Sequence, residues 1–386
     1  MDGGEGNVTS EDESATGKPP AFCYWWWRSV AEFDSAGRAD GRLYPATAAE
    51  LTGLSPRQRV LKEMERLALV GHDSLDDLRH KLLSYRAGDL WVPAGGVPKE
   101  ALDVPPVVTI LLVGAAGSGK SSLVNLMYSV LGRSGLIPFA RTSSEKNGGT
   151  SCLEEHNVLR STRNGFCVYD SKGFEYDEAA EGIEEMAGWV EDGVRHRQPC
   201  GGAAELEARF RFAGPPARFA KRRVNSVIVV ANLAEIYRAQ KGGDTRPLNA
   251  TRALFHSPSL RAVAENPILA LTHGDMLAAE ERIEARLMVC EMLGVSEATG
   301  AYDIACLNEY GLLVDEFDSV TAYSLAEAVY RSLLAADRSH PPKRKLTEWL
   351  FHAVACFMWS LSAFCAFLSF CFSSLARRQR CKLKIV

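Results

Sequence analysis

This sequence lacks the features by which several classes of protein are recognised. Its 10 cysteines form no C-x-x-C pair and no regular spacing, which argues against a zinc site or a disulfide framework and suits a reducing compartment. The 44 Lys and Arg residues are outnumbered by 48 Asp and Glu, so no overall basic field points to nucleic acid. Internal repeats and an N-terminal secretory signal are also lacking. With 46% hydrophobic residues, the composition is that of a globular protein with a substantial core.

A glycine-rich segment carries the most specific pattern in the chain. Residues 114–121, GAAGSGKS, match the phosphate-binding pattern G-x-x-x-x-G-K-[ST] without a mismatch. An apolar run typical of a buried strand precedes the segment, and a helical pattern follows it, so a chance match in a loop is the weaker interpretation. Backbone N–H groups and the helix N-terminus would cradle phosphate oxygens. The predicted nucleotide ligands here are Gly114, Gly117, Ser118, Gly119, Lys120, Ser121 and Ser122, with Lys120 at the β/γ-phosphates and Ser121 on Mg²⁺.

A second pattern follows the next apolar strand. Asp170-Ser-Lys-Gly173 is the spacing at which a nucleoside triphosphatase places a metal-side carboxylate and a glycine that contacts the γ-phosphate. We predict that Asp170 helps to hold Mg²⁺ and that the Gly173 N–H senses the γ-phosphate. A plain turn after a strand is the alternative, because turns produce Asp-x-x-Gly freely.

A glycine loop before this strand offers a further metal ligand. Thr150, in Asn147–Ser151, is predicted to complete the Mg²⁺ shell with its hydroxyl and to order its loop when triphosphate is bound. Thr142, Ser143 and Ser144 compete for this role, and a solvated loop threonine is the alternative.

A third pattern, Thr272-His-Gly-Asp275, ends another apolar strand. We interpret it as a guanine-reading [NT]-x-x-D motif, in which Asp275 accepts from guanine N1–H and N2–H₂ and His273 stacks on the base. Thr272 stands where asparagine is usual. The alternative is that Asp275 only caps the following helix. Asn308 is a weaker candidate for the loop that closes over the base.

In this order, the motifs resemble the septin, AIG1 and Toc-related branch of P-loop GTPases, and within it the interferon-induced protein 44-like group and its plant relatives. The resemblance covers about Val107 to Leu334. It implies a Ras-like fold, GTP with Mg²⁺, and self-association on membranes. Phe174 stands in place of a water-orienting glutamine, and Lys172 inside the motif is also unusual. Slow hydrolysis is therefore expected, with Glu175 as a speculative substitute for the glutamine.

Strand and helix patterns alternate around these motifs, which predicts an α/β fold with a mostly parallel sheet covered by helices on both faces. We also predict an edge hairpin that pairs Asn157–Arg160 with Phe166–Asp170. Before the sheet we predict two antiparallel helices, one starting after Ser55 and ending at Gly71, the other capped by Asp73. The Trp25–Trp27 cluster is expected to pack on the domain, with a membrane or partner contact as the alternative.

The C-terminal region lacks charge over a long stretch. Trp349 to Ala376 is 28 residues without Asp, Glu, Lys or Arg, and a bilayer needs about 20. Basic residues flank it on both sides. We predict a transmembrane tail anchor with the nucleotide domain facing the cytosol, and a buried core helix or an interfacial hairpin is the alternative. The sequence does not select among the mitochondrial, plastid, peroxisomal and endoplasmic reticulum membranes.

Together these features predict a membrane-anchored guanine-nucleotide-binding protein, either a slow GTPase switch or a self-associating GTPase. The expected partners are guanine nucleotide, a membrane and further copies of the chain, but not nucleic acid. The alternatives are an interaction protein with negligible hydrolysis and an ATP-binding P-loop protein. The predicted order is a disordered acidic tail (1–20), a helical module and linker (21–98), a GTPase-like domain (99–336), a basic linker (337–348), the anchor (349–376) and a basic tail (377–386).

Overall fold

The structure is a computed structural model in which two compact units are distinguished. One contains Met1–Ala87 and Pro106–Ala336, and the other contains Gly88–Pro105 and Asp337–Val386. Within these units the structure describes residues 26–27, 53–92, 98–132, 139–142, 151–159, 165–201, 219–263, 266–304, 319–343 and 346–383.

Among the described residues, seven strands form one mixed, mostly parallel sheet, as the alternating pattern predicted. The order is β4-β2-β3-β1-β5-β6-β7. β1 pairs in parallel with β3 and β5, and β6 pairs in parallel with β5 and β7. The strands are β1 Val108–Val113, β2 Cys152–His156, β3 Phe166–Asp170, β4 Gln198–Pro199, β5 Ser226–Asn232, β6 Ile268–Thr272 and β7 Ala301–Asp303.

Helices join the strands, and the sheet is buried between them. The helices are α1 Pro56–Ser84, α2 Lys120–Val130, α3 Ala179–Asp192, α4 Leu233–Lys241, α5 Arg246–Phe255, α6 Pro258–Val263, α7 Ala279–Leu293, α8 Ser319–Arg338 and α9 Leu346–Leu383. Alternate residues of β5 serve opposite faces of the sheet. Val227 and Val229 join the core that also contains Leu254 of α5, whereas the Ser226 hydroxyl lies 3.0 Å from that of Ser332 in α8.

The edge hairpin is at a different place from the one predicted. β2 pairs antiparallel with β3, but its residues are Cys152–His156 rather than Asn157–Arg160. Leu153 and His156 are buried in this strand, although two glutamates lie between them. The Glu155 carboxylate accepts from the Tyr169 hydroxyl at 2.8 Å and from the Arg222 guanidinium at 2.9 Å. These partners compensate the charge of a glutamate that lies within the sheet.

The N-terminal helix is also longer than predicted. Ser55 and Gln58 form the expected capping box, with the Gln58 amide oxygen 2.9 Å from the Ser55 nitrogen. Gly71 does not end the helix, however, and α1 continues to Ser84 as one helix. A Cβ on Gly71 would lie 2.9 Å from the Ser319 carbonyl oxygen. This glycine therefore allows α1 to approach the start of α8 closely, rather than breaking the helix.

The smaller unit joins the segment before β1 to the segment before α9. The buried Asp337 carboxylate accepts from the Gly88 and Leu90 N–H groups at 2.8 and 2.9 Å, and lies 3.1 Å from His340 Nε2. Leu102 and Pro342 form an antiparallel bridge. The Lys343 N–H donates to the Ala101 carbonyl at 2.7 Å.

One helix among the described residues is long and apolar enough to cross a membrane. The window Val354–Ser373 has a mean hydropathy of 1.9, and none of it is buried in the chain. Core helices of soluble proteins pass the same test of length and composition, but their apolar residues are buried. Here Trp359 is 79% exposed and Phe370 71% exposed.

Candidate functional site

The glycine loop, residues 114–121, connects β1 to α2. Gly119 is the residue before α2 and has a φ of 88°, in the left-handed region that favours glycine. A Cβ on Gly114 would lie 2.2 Å from the Val230 carbonyl oxygen of the neighbouring strand. The loop therefore turns tightly over the ends of β1 and β5, and it opens α2 without a side-chain cap, which leaves N–H groups for an anion.

Lys120, the first residue of α2, is only 5% exposed. Its ammonium group donates to the Ala115 carbonyl at 2.8 Å and to the Gly114 carbonyl at 3.2 Å. Burial lowers the pKa of Lys120 from 10.5 to about 8, and the Asp170 carboxylate opposes this shift. The side chain thus lies back along the loop, where phosphate oxygens would compete with the two carbonyls for the same cation.

Two oxygen-bearing side chains meet beside this lysine. The Ser121 hydroxyl donates to Asp170 Oδ2 at 2.5 Å, and the carboxylate is 1% exposed at the end of β3. A hydroxyl and a carboxylate in contact at a helix N-terminus are hard oxygen ligands of the kind that Mg²⁺ takes together with phosphate oxygens and water. The residues present therefore fit a magnesium ion held jointly with a phosphate.

The segment after Asp170 lies directly on the glycine loop. The Ala116 N–H donates to the Phe174 carbonyl at 2.8 Å, and a Cβ on Gly173 would lie 2.3 Å from the Ala116 nitrogen. Only glycine allows this approach. The Phe174 side chain is 5% exposed and packs on α3, where a Cβ on Gly182 would lie 2.2 Å from Phe174 Cβ. Phe174 is therefore a core residue, whereas the neighbouring Glu175 is exposed.

The β6 loop, residues 272–275, reaches the other side of the glycine loop. The Thr272 hydroxyl donates to the Ser118 carbonyl at 2.7 Å, and His273 Nδ1 lies 2.9 Å from the same hydroxyl. His273 has a φ of 57°, an uncommon left-handed conformation for a residue other than glycine. Burial lowers the pKa of His273, and Asp275 opposes this shift. A Cβ on Gly119 would lie 3.2 Å from His273 Cε1, so the imidazole packs against the glycine loop.

Asp275 is exposed within a short 3₁₀ turn, Gly274–Met276. It does not cap the following helix, because α7 begins after Ala278, whose N–H donates to the Glu281 carboxylate at 3.2 Å. The helix-cap alternative for Asp275 is thus wrong, and the carboxylate lies on the surface beside His273.

Asn232 is a further residue of the candidate site, and none of the sequence motifs above included it. It ends β5, and its Oδ1 accepts from the Glu235 N–H at 3.0 Å, which caps α4. Its amide nitrogen lies 3.4 Å from the Gly117 carbonyl. An asparagine directly after the apolar run of β5 was the available signal, since the carboxyl ends of parallel strands share one edge of the sheet.

The structure brings most of the predicted residues to one edge of the sheet. Lys120 follows the loop after β1, and Asp170 and Thr272 end β3 and β6. The sheet continues from β1 to β2–β4 on one side and to β5–β7 on the other, and ligands of open α/β sheets bind at such a switch point. Ser122 is half-buried in the first turn of α2 and Thr142 is exposed. Thr150, Ser143, Ser144 and Asn308 lie outside the described residues. The sequence matches no protein-family model and no curated protein sequence.

Proposed function

We propose that this chain is a guanine-nucleotide-binding protein of the P-loop class that works with Mg²⁺. The observation that supports this most is the contact between Thr272 and Ser118, 154 residues apart, which ties the β6 loop to the glycine loop. A phosphate site and a candidate base site are thereby adjacent on one edge of the sheet. The resemblance to the septin, AIG1 and Toc-related GTPases, and with it a Ras-like fold, belongs to the same proposal.

Each residue has a role that follows from its chemistry. Lys120 gives up its two carbonyl contacts to neutralise the β- and γ-phosphates, while the backbone N–H groups of the glycine loop bind the remaining oxygens. Ser121 and Asp170 hold Mg²⁺, with Thr150 as the further hydroxyl. Mg²⁺ neutralises charge that develops on the phosphates. Asp275 accepts from the two guanine donors, His273 covers the base, and Asn308 is a further candidate for contact with the base.

Turnover is expected to be slow. A water-orienting residue is needed after the Asp-x-x-Gly segment. Phe174, at that position, packs on Gly182 and offers no polar atom, so Glu175 is the nearest side chain that could orient water. The burial of Phe174 favours the second candidate, a nucleotide-binding interaction protein with negligible hydrolysis. An ATP-binding protein is the third candidate, and it gives no role to Asp275.

The exposed apolar helix α9 supports attachment to a membrane. The window Val354–Ser373 has 20 residues at a mean hydropathy of 1.9, and a helix satisfies its own backbone hydrogen bonds. Transfer of such a helix from water into the bilayer therefore lowers its free energy. We propose a tail-anchored protein whose nucleotide domain faces the cytosol and which self-associates on that surface.

The test is direct measurement of nucleotide affinity on the full-length protein in detergent. GTP and GDP should bind much more tightly than ATP and ADP, and should require Mg²⁺ for the triphosphate. Equal affinity for ATP and GTP would remove the guanine assignment, and absence of all nucleotide binding would remove the whole proposal. Single-turnover assays with free protein and with protein concentrated on liposomes would separate a slow GTPase from a binding module.

A further inference from the structure

The β6 loop rests on a buried ion pair that the nucleotide contacts leave unexplained. Arg282 of α7 and Asp303 of β7 form two parallel hydrogen bonds of 2.9 and 2.7 Å, and their side chains are 6% and 1% exposed. A Cβ on Gly274 would lie 2.6 Å from Arg282 Nε and 3.1 Å from Asp303 Oδ1. The loop backbone therefore lies against the pair, at a distance that only glycine permits.

An N-terminal tryptophan covers the same arginine. The Arg282 guanidinium carbon lies 4.1 Å from the centre of a Trp26 ring, which is the geometry of a cation–π contact. The next residue, Trp27, is 1% exposed and donates its indole N–H to Glu65 at 2.9 Å. Trp27 packs with Val60, Met64 and Val320 between α1 and α8. Trp26 is thus held in position by a neighbour that is firmly anchored in the core.

The loop that this stack supports is under local strain. A left-handed conformation such as that of His273 persists only where the surroundings fix it. On one side of the loop, Thr272 is bonded to the glycine loop. On the other side, Gly274 lies on the Arg282–Asp303 pair, and Trp26 completes the stack.

We propose that Trp26, Arg282 and Asp303 are positioning residues for the Asp275 carboxylate, so that Trp26 sets how sharply the site distinguishes guanine. This inference rests on the proposed function. A carboxylate that accepts from two donors depends on its position for both bonds. If the support behind Gly274 loosens, the contact with the exocyclic amine weakens while the phosphate contacts at Lys120 remain.

The discriminating measurement compares GDP with inosine diphosphate, which lacks only the exocyclic amine of guanine. The Trp26→Leu variant keeps apolar bulk but removes the π face over Arg282. We expect the ratio of GDP to inosine diphosphate affinity to fall by about fivefold, the size of one cation–π contact. Trp26→Phe, which restores a π face, should recover most of the ratio. The Glu65→Gln variant is the matched control, because its amide oxygen can still accept from the Trp27 indole N–H and both tryptophan rings stay in place, so the ratio should be unchanged.

A second readout does not depend on nucleotide. The loop contains the hydrogen bonds Met276 N–H to His273 oxygen, 3.1 Å, and Leu277 N–H to Gly274 oxygen, 3.2 Å. Amide hydrogen exchange of residues 272–278 in the nucleotide-free full-length protein should speed up in Trp26→Leu and not in Glu65→Gln. If Trp26→Leu does not fold, Arg282→Lys serves instead, because it keeps the charge but loses the paired fork.

The outcomes separate this inference from the proposed function. Suppose that the wild-type protein binds GDP more tightly than inosine diphosphate, and that a folded Trp26→Leu protein has the same affinity ratio and the same exchange rates. That result would overturn the inference and leave the proposed function standing. Wild-type protein that binds both nucleotides equally would overturn the role of Asp275 and the inference with it. A fall in affinity that is the same for GDP and inosine diphosphate would reduce Trp26 to a structural residue.

Discussion

At the glycine loop the groups available for binding belong mainly to the backbone, whereas at the β6 loop they belong to side chains. The first needs only a tight turn and one lysine, and its position is fixed by strands on both sides. The second needs a strained histidine, a hydrogen bond to the glycine loop and a buried ion pair behind it. A few consecutive residues therefore determine the geometry of a site made of backbone groups, whereas a site made of side chains depends on contacts from distant parts of the chain. Four predictions test this contrast.

The largest effect is expected at the glycine loop. Lys120→Ala removes the only side-chain cation of that loop, and affinity for GTP and for GDP should fall by about two orders of magnitude. Lys120→Arg is the control that keeps the charge. Isothermal titration with a melting curve on each variant measures this. Unchanged affinity in a folded Lys120→Ala protein would show that phosphates bind elsewhere.

A smaller and base-selective effect is expected at the β6 loop. Asp275→Asn should weaken the affinity for GDP by about tenfold to a hundredfold, because one guanine N–H donor loses its acceptor and an unpaired donor in the bound state costs about 1–3 kcal/mol. Affinity for pyrophosphate should not change, since the variant leaves the glycine loop intact. Asp275→Asn should also bind xanthosine diphosphate better than the wild-type protein does, because xanthine offers an acceptor where guanine has its amine. Equal losses for GDP and pyrophosphate would contradict the separation of the two loops.

The pH dependence should also distinguish the two loops. With the pKa of Lys120 near 8 in the free protein, only about one-tenth of the protein carries the cation at pH 9, so GDP affinity should fall about tenfold between pH 7 and pH 9. The free energy of unfolding of the free protein should depend on pH in the opposite direction. The unfolded lysine titrates near 10.5 and binds more protons between pH 8 and 10.5, so this group makes folding more favourable as pH rises through that window. Lys120→Arg should lose both dependences.

The smallest effect on nucleotide binding is expected from α9. Deletion of residues 346–386 should leave GDP affinity within about twofold of the full-length value, because the contacts described above for the two loops all come from residues of the larger unit. The same deletion should release the protein from membranes, as measured by flotation with liposomes. Full-length protein that is removed from membranes by alkaline carbonate would show that α9 does not span them.

The sequence predicted the parts of the site that depend on consecutive residues. The glycine loop and the strands that precede the three motifs, β1, β3 and β6, lie where the sequence predicted them, because apolar β-branched runs and glycines determine structure over a few residues. Long-range partners were beyond such patterns. The charge of Glu155 in β2 is compensated by Arg222, which is 67 positions away. Gly71 was predicted to end a helix because its neighbour in the fold, Ser319, is 248 positions away.

The same limit applies to the candidate site. The contacts of Asn232 and Phe174 could not be predicted from local motifs, since Asn232 caps α4 and the Phe174 side chain packs against Gly182. The stack behind the β6 loop joins residues 26, 282 and 303. Only the folded chain brings these three together, whereas GAAGSGKS can be recognised without any fold at all.

The hydrogen bonds within the smaller unit, residues 88–105 and 337–386, have a mechanical consequence. Residues 101–103 are hydrogen-bonded to residues 341–343, and the Asp337 carboxylate binds the backbone of residues 88 and 90. Tension applied to α9 is therefore divided among three covalent routes out of this small unit: through Asp337 into α8, through Gly88 towards α1, and through Pro105 to β1. The route through residues 101–105 leads directly to β1, the strand before the glycine loop, and crosses no other strand of the sheet.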